Sequence, residues 1–529
     1  MLISDRLRRL AATCSLALLC FIVQAPAHAR TQEANLVPIA SFGASTLVDK
    51  PSAVRGNMLL ADDGNIYFIS SSGGKGGGAI AKLTPAGTLS VLYAPSSSDE
   101  GTSAFAGLMQ ATDGNLYGTT YLGGTKGGGT VFRVSLAGTF AVVRSFGQDK
   151  TDAILPYGGL LQASDGNLYG TTLRGGTNDK GTVFRLSLAG DFTIIHQFDG
   201  ANGENPEGTL IIGSDGNLYG TTLQGGSSNR GTIFRVSTAG NFSSVYSFPA
   251  LGAFNADGRA VNTTGANPRA ALLLGADGNY YGTAYQGGAN GWGTIFRMTP
   301  AGVVTVLRAF AGPNFDGGFP LASIVQDALG NLYGTTEQGG YLNQGTVWRI
   351  NASGQFDVLH GFVNSGNDGA QPYAPVLLAN NSIYGVSYSD SFSRSGAIFR
   401  LDTGSNGVLP IELSVSQAEI AFGSSAALTW ASPTATACTA IGNWEGTTVA
   451  ISGTLSVTPT SPGIYTYGLS CTDGAGVVRL AYTGLIVTAP PTQPVDGGGG
   501  TGALSVTLLL LLAALLFRKN LKEIFPACP

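Results

Sequence analysis

Short apolar stretches separated by turn-forming residues recur along most of this chain. In one copy, residues 192–198, 209–212, 218–222 and 231–236 are rich in β-branched and aromatic side chains, which favour β-strands. The Asp-Gly-Asn sequence at 215–217 favours a hairpin turn, because Asp-Gly and Gly-Asn readily adopt positive φ angles. We therefore predict that these four stretches form one antiparallel sheet, and that similar sheets repeat along the chain.

The sequence Asp-Gly-Asn-Leu-Tyr-Gly-Thr-Thr, first complete at 113–120, marks each copy of the pattern. Its tyrosine recurs at intervals of 50, 52, 50, 62, 52 and 51 residues, obtained by subtracting positions. A period of about 40–50 residues with several short strands in each repeat is typical of a β-propeller. The repeated tyrosines are Tyr67, Tyr117, Tyr169, Tyr219, Tyr281, Tyr333 and Tyr384.

Both faces of each predicted sheet are apolar, since neighbouring strand residues such as Leu218 and Tyr219 point to opposite sides. A sheet of this kind needs a neighbour on each face, and radial packing supplies one without terminal caps. We therefore predict an all-β chain with a seven-bladed β-propeller over residues 36–401. Six blades are the alternative if the first copy fails to form, because Phe68 and Ala81 stand where other copies have Gly and Phe.

The two ends of the repeat region complement each other. The last repeat element, 396–401, is not followed by the strand that follows it in other copies. An equivalent stretch lies near the start of the chain at 36–42, where Ser41-Phe42 matches Ser145-Phe146. We predict that this segment either completes the last blade or opens the first.

The repeated cassette, with its later Gly-Gly and Gly-Thr-Val-Phe-Arg sequences, resembles the GloVer tandem repeat of cyanobacterial and verrucomicrobial proteins. The resemblance covers roughly residues 36–401. It implies exported proteins with varied anchoring signals and no settled biochemical activity, so it adds architecture and location but no chemistry.

A different pattern follows the repeats. Residues 410–489 contain short alternating strands broken by turn residues, which predicts a small Ig-like β-sandwich. Cys438 and Cys471 are the two cysteines left in the exported body, so an oxidising compartment predicts a disulfide between them. Trp430 precedes the first cysteine, so this disulfide need not join two sheets. We interpret the domain as a spacer, with a carbohydrate- or protein-binding module as the alternative.

The two ends of the chain have the features of address signals. Residues 1–29 combine a basic start, an apolar stretch and an A-x-A site, which predicts cleavage by signal peptidase between Ala29 and Arg30. A Pro/Gly linker at 490–502 precedes an apolar segment at 503–522, predicted to be a transmembrane sorting or anchor helix. The glycines within that linker resemble a GlyGly-type sorting signal, which implies cleavage by a rhomboid-family protease, with a plain tail anchor as the alternative. These glycines are Gly497, Gly498, Gly499 and Gly500.

Composition narrows the chemistry. Charged residues make up only 11% and the formal net charge is −4, so nothing suggests nucleic acid as a partner. Only His196 and His360 follow the predicted signal, no Cys-x-x-Cys pair exists, and the Asp-Gly-Asn turns lack the carboxylates of a calcium loop. We predict no catalytic residue, cofactor or metal.

The turns between the third and fourth strands vary from copy to copy while their glycines repeat. Variable tips on a rigid scaffold are where recognition tends to occur. We therefore predict a protein at the cell envelope or surface, without enzymatic activity, that binds an extracellular glycan or protein. The alternative is a secreted polysaccharide lyase or hydrolase that uses acidic loops on one propeller face. The candidate binding residues are Lys180, Arg230, Trp292, Tyr341, Gln344 and Arg394.

Overall fold

The computed structural model describes residues 30–31, 35–42, 45–149, 151–255, 257–313, 316–340, 342–363, 369–379, 382–388, 396–402, 412–417, 419–432, 435–444, 448–473 and 478–488. Within those ranges the chain is all-β, and its only helix is a 3₁₀ turn, Ser98–Glu100. None of these residues belongs to a helix long and apolar enough to cross a membrane. The predicted signal, linker, glycine motif and apolar C-terminal segment lie outside the described residues.

Seven antiparallel sheets with the same order of four strands follow one another in the described part of the chain. Sheet 1 contains Leu59–Leu60, Ile66–Gly73, Ile80–Leu83 and Leu89–Tyr93, with Pro51–Val54 added beside the second strand. Sheet 2 contains Met109–Gln110, Leu116–Thr120, Thr130–Val134 and Phe140–Ser145. Sheet 3 contains Leu161–Gln162, Leu168–Thr172, Thr182–Leu186 and Phe192–Gln197, and sheet 4 contains Ile211–Ile212, Leu218–Thr222, Thr232–Val236 and Phe242–Ser247.

The remaining sheets repeat this order. Sheet 5 contains Leu273–Leu274, Tyr280–Ala284, Thr294–Met298 and Val304–Ala309, and sheet 6 contains Val325–Gln326, Leu332–Thr336, Thr346–Ile350 and Phe356–Gly361. Sheet 7 contains Leu377–Ala379, Ser382–Ser387 and Ala397–Asp402, and its fourth strand is Asn35–Ser41 from the start of the chain. We predicted two possible positions for this segment, and the structure shows that it completes the last sheet. A separate short pair joins Ala153–Ile154 to Arg174–Gly175.

The predicted grouping of strands is wrong by one strand. Phe192–Gln197 pairs with Thr182–Leu186 and belongs to sheet 3, whereas we predicted it in the sheet with 209–236. The short turn at 187–191 explains this pairing. A hydrogen bond from Ser187 N–H to the Asp191 carbonyl closes the turn, so the chain returns directly onto the preceding strand.

One apolar cluster fills each gap between consecutive sheets. Between sheets 3 and 4, Tyr169 and Phe198 pack against Leu218 and Phe234. Between sheets 4 and 5, Tyr219 packs against Tyr280 and Phe296 in the same manner. Leu218 and Tyr219 therefore do face opposite neighbours, as the sequence pattern predicts.

The same packing links the last sheet to the first. Val386 and Ile398 of sheet 7 share one cluster with Ile66 and Phe68 of sheet 1, and Phe42 of the N-terminal strand joins them. The sheets therefore pack in cyclic order, and no sheet in the described chain leaves an apolar face without a partner sheet.

Sheet 1 has its large and small side chains on the opposite strands from those of sheet 3, so the same volume is filled. In sheet 3, Gly170 pairs with Phe184, and a Cβ on Gly170 would lie 2.5 Å from Phe184 Cζ. In sheet 1 the pair at this register is Phe68 and Ala81, both fully buried. The large side chain has moved to the opposite strand, so the first copy forms its sheet despite its divergent sequence.

A volume-exchange cycle tests this packing. Phe184→Ala should destabilise the fold by about 3–5 kcal/mol by leaving a cavity, and Gly170→Phe by about 1–3 kcal/mol or more by overpacking. The double variant reproduces the sheet 1 arrangement, so it should be at least about 1 kcal/mol more stable than the sum of the single changes. Urea unfolding measures all three, and Phe68→Gly with Ala81→Phe is the matched exchange in sheet 1. If the stability changes of the single variants add strictly in the double variants of both sheets, the proposed exchange of packing volume is contradicted.

Two further sheets follow the repeats. One contains Glu412–Val415, Ala426–Ala431 and Ser452–Val457, and Arg30–Thr31 connects it to Phe356–Gly361 of sheet 6. The other contains Glu419–Ala421, Val478–Thr488, Gly463–Asp473, Ala435–Gly442 and Thr448–Val449.

The two C-terminal sheets share an apolar core. Leu413 and Trp430 from one sheet contact Leu469 and the cystine from the other. The predicted disulfide between Cys438 and Cys471 is confirmed, and the two cysteines are direct partners on adjacent strands of one sheet. It therefore does not join the two sheets.

Candidate functional site

The seven repeat sheets meet around a cavity of about 280 Å³. Each sheet is preceded by a short lead-in segment, and one residue of each segment occupies an equivalent position at the cavity. Directly after it comes Gly or Ala in every copy, which lets neighbouring backbones approach closely: a Cβ on Gly208 would lie 2.7 Å from the Ala270 carbonyl oxygen. The seven equivalent residues are Arg55, Phe105, Tyr157, Glu207, Arg269, Leu321 and Tyr373.

A repeated backbone feature fixes each lead-in segment. Two residues before the cavity position, a residue other than glycine has φ between 53° and 60°, a conformation that such residues seldom adopt. At Asn205, the N–H donates to the Lys180 carbonyl at 3.0 Å, and the carbonyl accepts from Leu223 N–H at 3.0 Å. These bonds to two neighbouring turns hold the residue in place. The set is Ala53, Ser103, Leu155, Asn205, Asn267, Phe319 and Gln371.

The same bonds position a second set of side chains around the cavity. The residue directly after the second strand of a sheet donates its N–H to the carbonyl of the left-handed residue before that sheet, as Tyr285 does to Asn267 and Glu337 to Phe319. Tyr285 and Glu337 both line the cavity. We call the aromatic and charged lining residues the mouth: Arg55, Phe105, Tyr157, Glu207, Arg269, Tyr285, Glu337 and Tyr373.

Arg55 lies among aromatic rings. Its guanidinium carbon is 5.3 Å from the ring centre of Phe105, 5.6 Å from that of Tyr373 and 5.1 Å from that of Tyr388. No carboxylate of the described residues lies within 4.0 Å of it. Its buried Nε has no hydrogen-bond partner among those residues. Cation–π attraction therefore holds this arginine without neutralising it.

Glu207 and Arg269 form an ion pair on the mouth. Arg269 Nε lies 2.6 Å from Glu207 Oε2, and Nη2 lies 3.3 Å from Oε1, so the contact is bidentate. Glu207 is 8% exposed. Burial would lower the pKa of Arg269, but the hydrogen bonds and charge of Glu207 outweigh it and raise that pKa. The pair contributes no net charge to the mouth.

Glu337 is held by two tyrosine hydroxyls. Tyr285 donates to Oε2 at 3.3 Å and Tyr373 donates to Oε1 at 3.2 Å. Burial first, and then the charge of Glu337, raise the pKa of Tyr373 to about 12. No cationic nitrogen among the described side chains lies within 4.0 Å of Glu337. Its carboxylate retains acceptor capacity, since an ionised carboxylate accepts about four hydrogen bonds.

The mouth thus offers aromatic faces, one cation with no ion-pair partner in the described part of the chain, and one carboxylate held by hydrogen bonds. Such a mixture suits recognition of a ligand with both a ring face and polar substituents. No group of three or more His, Cys, Asp or Glu side chains in the described chain could hold a metal ion.

The turns that carry the predicted binding residues lie at the same end of the sheets as the mouth. Hydrogen bonds show this placement, since backbone carbonyls of the turns accept from N–H groups of the lead-in segments. Gln344 O accepts from Gln371 N–H at 2.7 Å, and Arg230 O accepts from Asn267 N–H at 2.8 Å. The Lys180 ammonium lies 2.8 Å from the Glu204 carboxylate. Tyr341 and Arg394 lie outside the described residues.

Trp292 is placed differently from an exposed turn residue. It is 7% exposed, its ring lies 5.2 Å from that of Phe319, and the Arg259 guanidinium sits 4.0 Å above it. Little of the indole face is left for stacking on a ligand. Its backbone serves the scaffold, since its carbonyl accepts from Phe319 N–H at 2.8 Å.

Several acidic loop residues form ion pairs that stabilise the scaffold. Asp152 is 2.9 Å from Arg144, and Asp316 forms an ion pair with Arg308. The turn aspartates act as predicted turn formers: Asp113 accepts from Asn115, and also from the Tyr117 hydroxyl at 2.8 Å. Burial would raise the pKa of Asp113, yet these hydrogen bonds lower it.

His196 and His360 have equivalent positions on the fourth strands of sheets 3 and 6. His196 stacks on Phe242 of the next sheet with ring centres 3.7 Å apart, and Arg144 covers Phe192 in the same way. Burial lowers the pKa of His196 to about 4. This histidine therefore packs neighbouring sheets together in its neutral form.

His196 should make stability pH-dependent. Its folded-state pKa lies below the ordinary value of about 6.5, so its contribution is complete above pH 6.5 and is lost as pH falls towards 4. His196→Tyr, which copies Tyr246 of sheet 4, should lessen the destabilisation between pH 7 and 4.5 by roughly 1 kcal/mol, allowing for solvent screening. Urea unfolding at both pH values measures this, with Tyr246→Phe as the control. Equal pH dependence in wild type and His196→Tyr would contradict the role.

Sequence reasoning missed the mouth. Its residues come from different repeats and include Arg, Phe, Tyr and Glu, so no single motif marks them. One signal was present: in five copies the cavity residue directly follows a proline and precedes Gly or Ala, while the residue itself varies among Tyr, Glu, Arg and Leu. These prolines are Pro156, Pro206, Pro268, Pro320 and Pro372.

Comparison with known proteins gives one family and several distant structures. The model of the Gloeobacter/Verrucomicrobia repeat matches residues 54–263 and 252–453. No curated protein matches the sequence.

Three solved structures illustrate the structural likeness. The extracellular domain of a hybrid two-component system from B. thetaiotaomicron is 14% identical, with a TM-score of 0.46 over 86% of this chain and 58% of its own. That of a one-component system from the same organism is 13% identical, with a TM-score of 0.45 over 87% and 59%. The chain therefore spans less than two thirds of these two domains. A lectin from Burkholderia pseudomallei is 13% identical, with a TM-score of 0.44 over 73% of this chain and 100% of its own.

Proposed function

Since this chain belongs to the Gloeobacter/Verrucomicrobia repeat family, we propose that its repeat sheets are the blades of a closed seven-bladed β-propeller. The cyclic order of the apolar clusters supports closure, and the pairing of Asn35–Ser41 with Ala397–Asp402 joins the two ends. We propose further that the two C-terminal sheets form an Ig-like sandwich acting as a spacer. Their shared core around Trp430 and Leu469 supports that reading.

We propose that the protein is an exported binding platform and that the mouth binds an extracellular glycan. The observation that carries this proposal is the lining itself. Around one cavity, a scaffold of repeated glycines, prolines and threonines presents Phe105, Tyr157, Tyr285 and Tyr373 beside charged groups. Aromatic faces stack on the apolar faces of sugar rings, while Glu337 and Arg55 can bond the hydroxyls. An extracellular protein is the other class of ligand.

Export, processing and anchoring complete the proposal. Signal peptidase would cut between Ala29 and Arg30. A rhomboid-family protease would act near the glycine motif at 497–500, or the apolar segment 503–522 would hold the chain in the membrane. The disulfide between Cys438 and Cys471 supports an oxidising compartment, because such bonds are rare in the cytosol.

We propose binding without turnover. Glu207 is engaged by Arg269 and Glu337 by two tyrosines, so each carboxylate already has fixed partners. The rival is a polysaccharide lyase or hydrolase. The presence of both carboxylates on one cavity favours it, since glycoside hydrolysis uses a pair of acids.

A glycan array with the purified full-length chain, followed by calorimetry on its best glycan, tests the proposal. Phe105→Ala and Tyr373→Ala should each weaken binding about tenfold, equivalent to ~1.4 kcal/mol, because each removes a stacking face. Phe254→Ala is the matched control, because Phe254 is 74% exposed and lies outside the mouth.

Two results would contradict binding at the mouth. In the first, affinity is unchanged in both mouth variants but is lost in Lys180→Ala or Gln344→Ala. That result would place the binding site on the variable turns that contain Lys180 and Gln344. The other is a rise in reducing ends or unsaturated sugar that disappears in Glu337→Gln, which would establish the enzyme.

A further inference from the structure

We infer that the ligand of the mouth is an acidic sugar, a glycan residue that carries a carboxylate, and that Arg55 binds this carboxylate. This inference rests on the proposed function and names the class of glycan.

The first step is the contrast between Arg55 and two other arginines of the repeat sheets. Arg269 on the same mouth contacts Glu207 with two nitrogens, and Arg144 lies 2.9 Å from Asp152. Arg55 has no such ion pair among the described residues, although Glu207 and Glu337 line the same cavity. A partly buried guanidinium without a carboxylate is costly to desolvate unless an anion completes its site.

The second step is the environment of that guanidinium. Phe105, Tyr373 and Tyr388 surround it at 5.1–5.6 Å, so its surroundings are less polar than water. Attraction between opposite charges grows as the effective dielectric constant falls. The aromatic cage therefore strengthens the interaction of Arg55 with an entering anion, and the planar fork of a guanidinium matches a carboxylate with two parallel hydrogen bonds.

The third step is the overall charge of the mouth, which argues against a nucleic acid or a polyphosphate as the ligand. The charges of Glu207 and Arg269 cancel. Glu337 adds one negative charge, and its carboxylate accepts hydrogen bonds from Tyr285 and Tyr373. A nucleic acid or polyphosphate needs several cations along its backbone. The mouth instead provides one cation for one carboxylate, with Glu337 as an acceptor for sugar hydroxyls and aromatic faces for the ring.

The test compares matched sugars on the full-length chain. The probes are oligosaccharides of galacturonic acid, of glucuronic acid, and of glucuronic acid alternating with N-acetylglucosamine. Each is paired with its carboxyl-reduced form, in which the carboxylate is a primary alcohol, and sulfated neutral oligosaccharides form a third group. The best binder should be a uronate, its reduced partner should bind at least about tenfold more weakly, and added NaCl should weaken only the uronate.

Variants assign the effect to Arg55. Arg55→Met should bring the affinities for the uronate and its reduced partner together, with a much larger fold-loss of affinity for the uronate than for the reduced sugar. Arg55→Lys should retain part of the preference, because an ammonium keeps the charge but loses the bidentate geometry. Arg133→Met is the control, because Arg133 is exposed and lies outside the mouth. Thermal melting of each variant checks that it is folded.

The outcomes separate this inference from the proposed function. A neutral or sulfated sugar as the best binder, with affinity lost in Tyr373→Ala, would overturn the acidic ligand and leave glycan binding at the mouth intact. A uronate preference that persists in a folded Arg55→Met variant would overturn the role of Arg55. Absence of binding to every sugar tested would overturn both.

Discussion

The burial of two apolar faces on every repeat sheet is the constraint on which the structure depends. Neighbouring residues such as Leu218 and Tyr219 face opposite sides, and each fills a cluster shared with a different sheet. A sheet at the end of an open row would expose one of these faces to water, at about 25 cal/mol for each Å² of apolar surface. Packing of sheet 7 against sheet 1 removes both ends, and the N-terminal strand Asn35–Ser41 fixes that contact through its backbone.

Cyclic packing also creates the site. It brings the seven lead-in segments, each separated from the next by fifty or more residues, to one cavity. Each segment contains a left-handed residue, and in five of the seven this residue makes two backbone hydrogen bonds to neighbouring segments, as at Asn205. Because the backbone supplies this support, the residue type two positions later can differ between copies. It changes from Arg55 to Phe105 to Glu207 while the segment keeps the same backbone conformation.

The sequence predicted what depends on local pattern and period. The spacing of the tyrosines predicted the repeats and the cysteine count predicted the disulfide, whereas Ser41-Phe42 left two placements open for the N-terminal strand. Two features of the structure were not predicted, and they have one physical origin. The strand at 192–198 belongs to a different sheet from the one we predicted, and Trp292, a candidate binding residue, is buried. In both cases the deciding contact is made with another segment, Thr182–Leu186 or Phe319, and strand pattern and turn composition do not record it.

The ion pairs of the repeat region explain why Arg55 differs. Each carboxylate that could neutralise it within the mouth is held elsewhere: Glu207 by a bidentate contact to Arg269, and Glu337 by the hydroxyls of Tyr285 and Tyr373. The aromatic rings around Arg55 hold the guanidinium in position without a counter-charge. An entering anion therefore has no internal ion pair to break and no long side chain to immobilise, which are two of the main costs of binding a charged ligand. Preorganisation of this kind makes one cation sufficient to discriminate a single carboxylate, without the strongly positive surface that nucleic-acid binding requires.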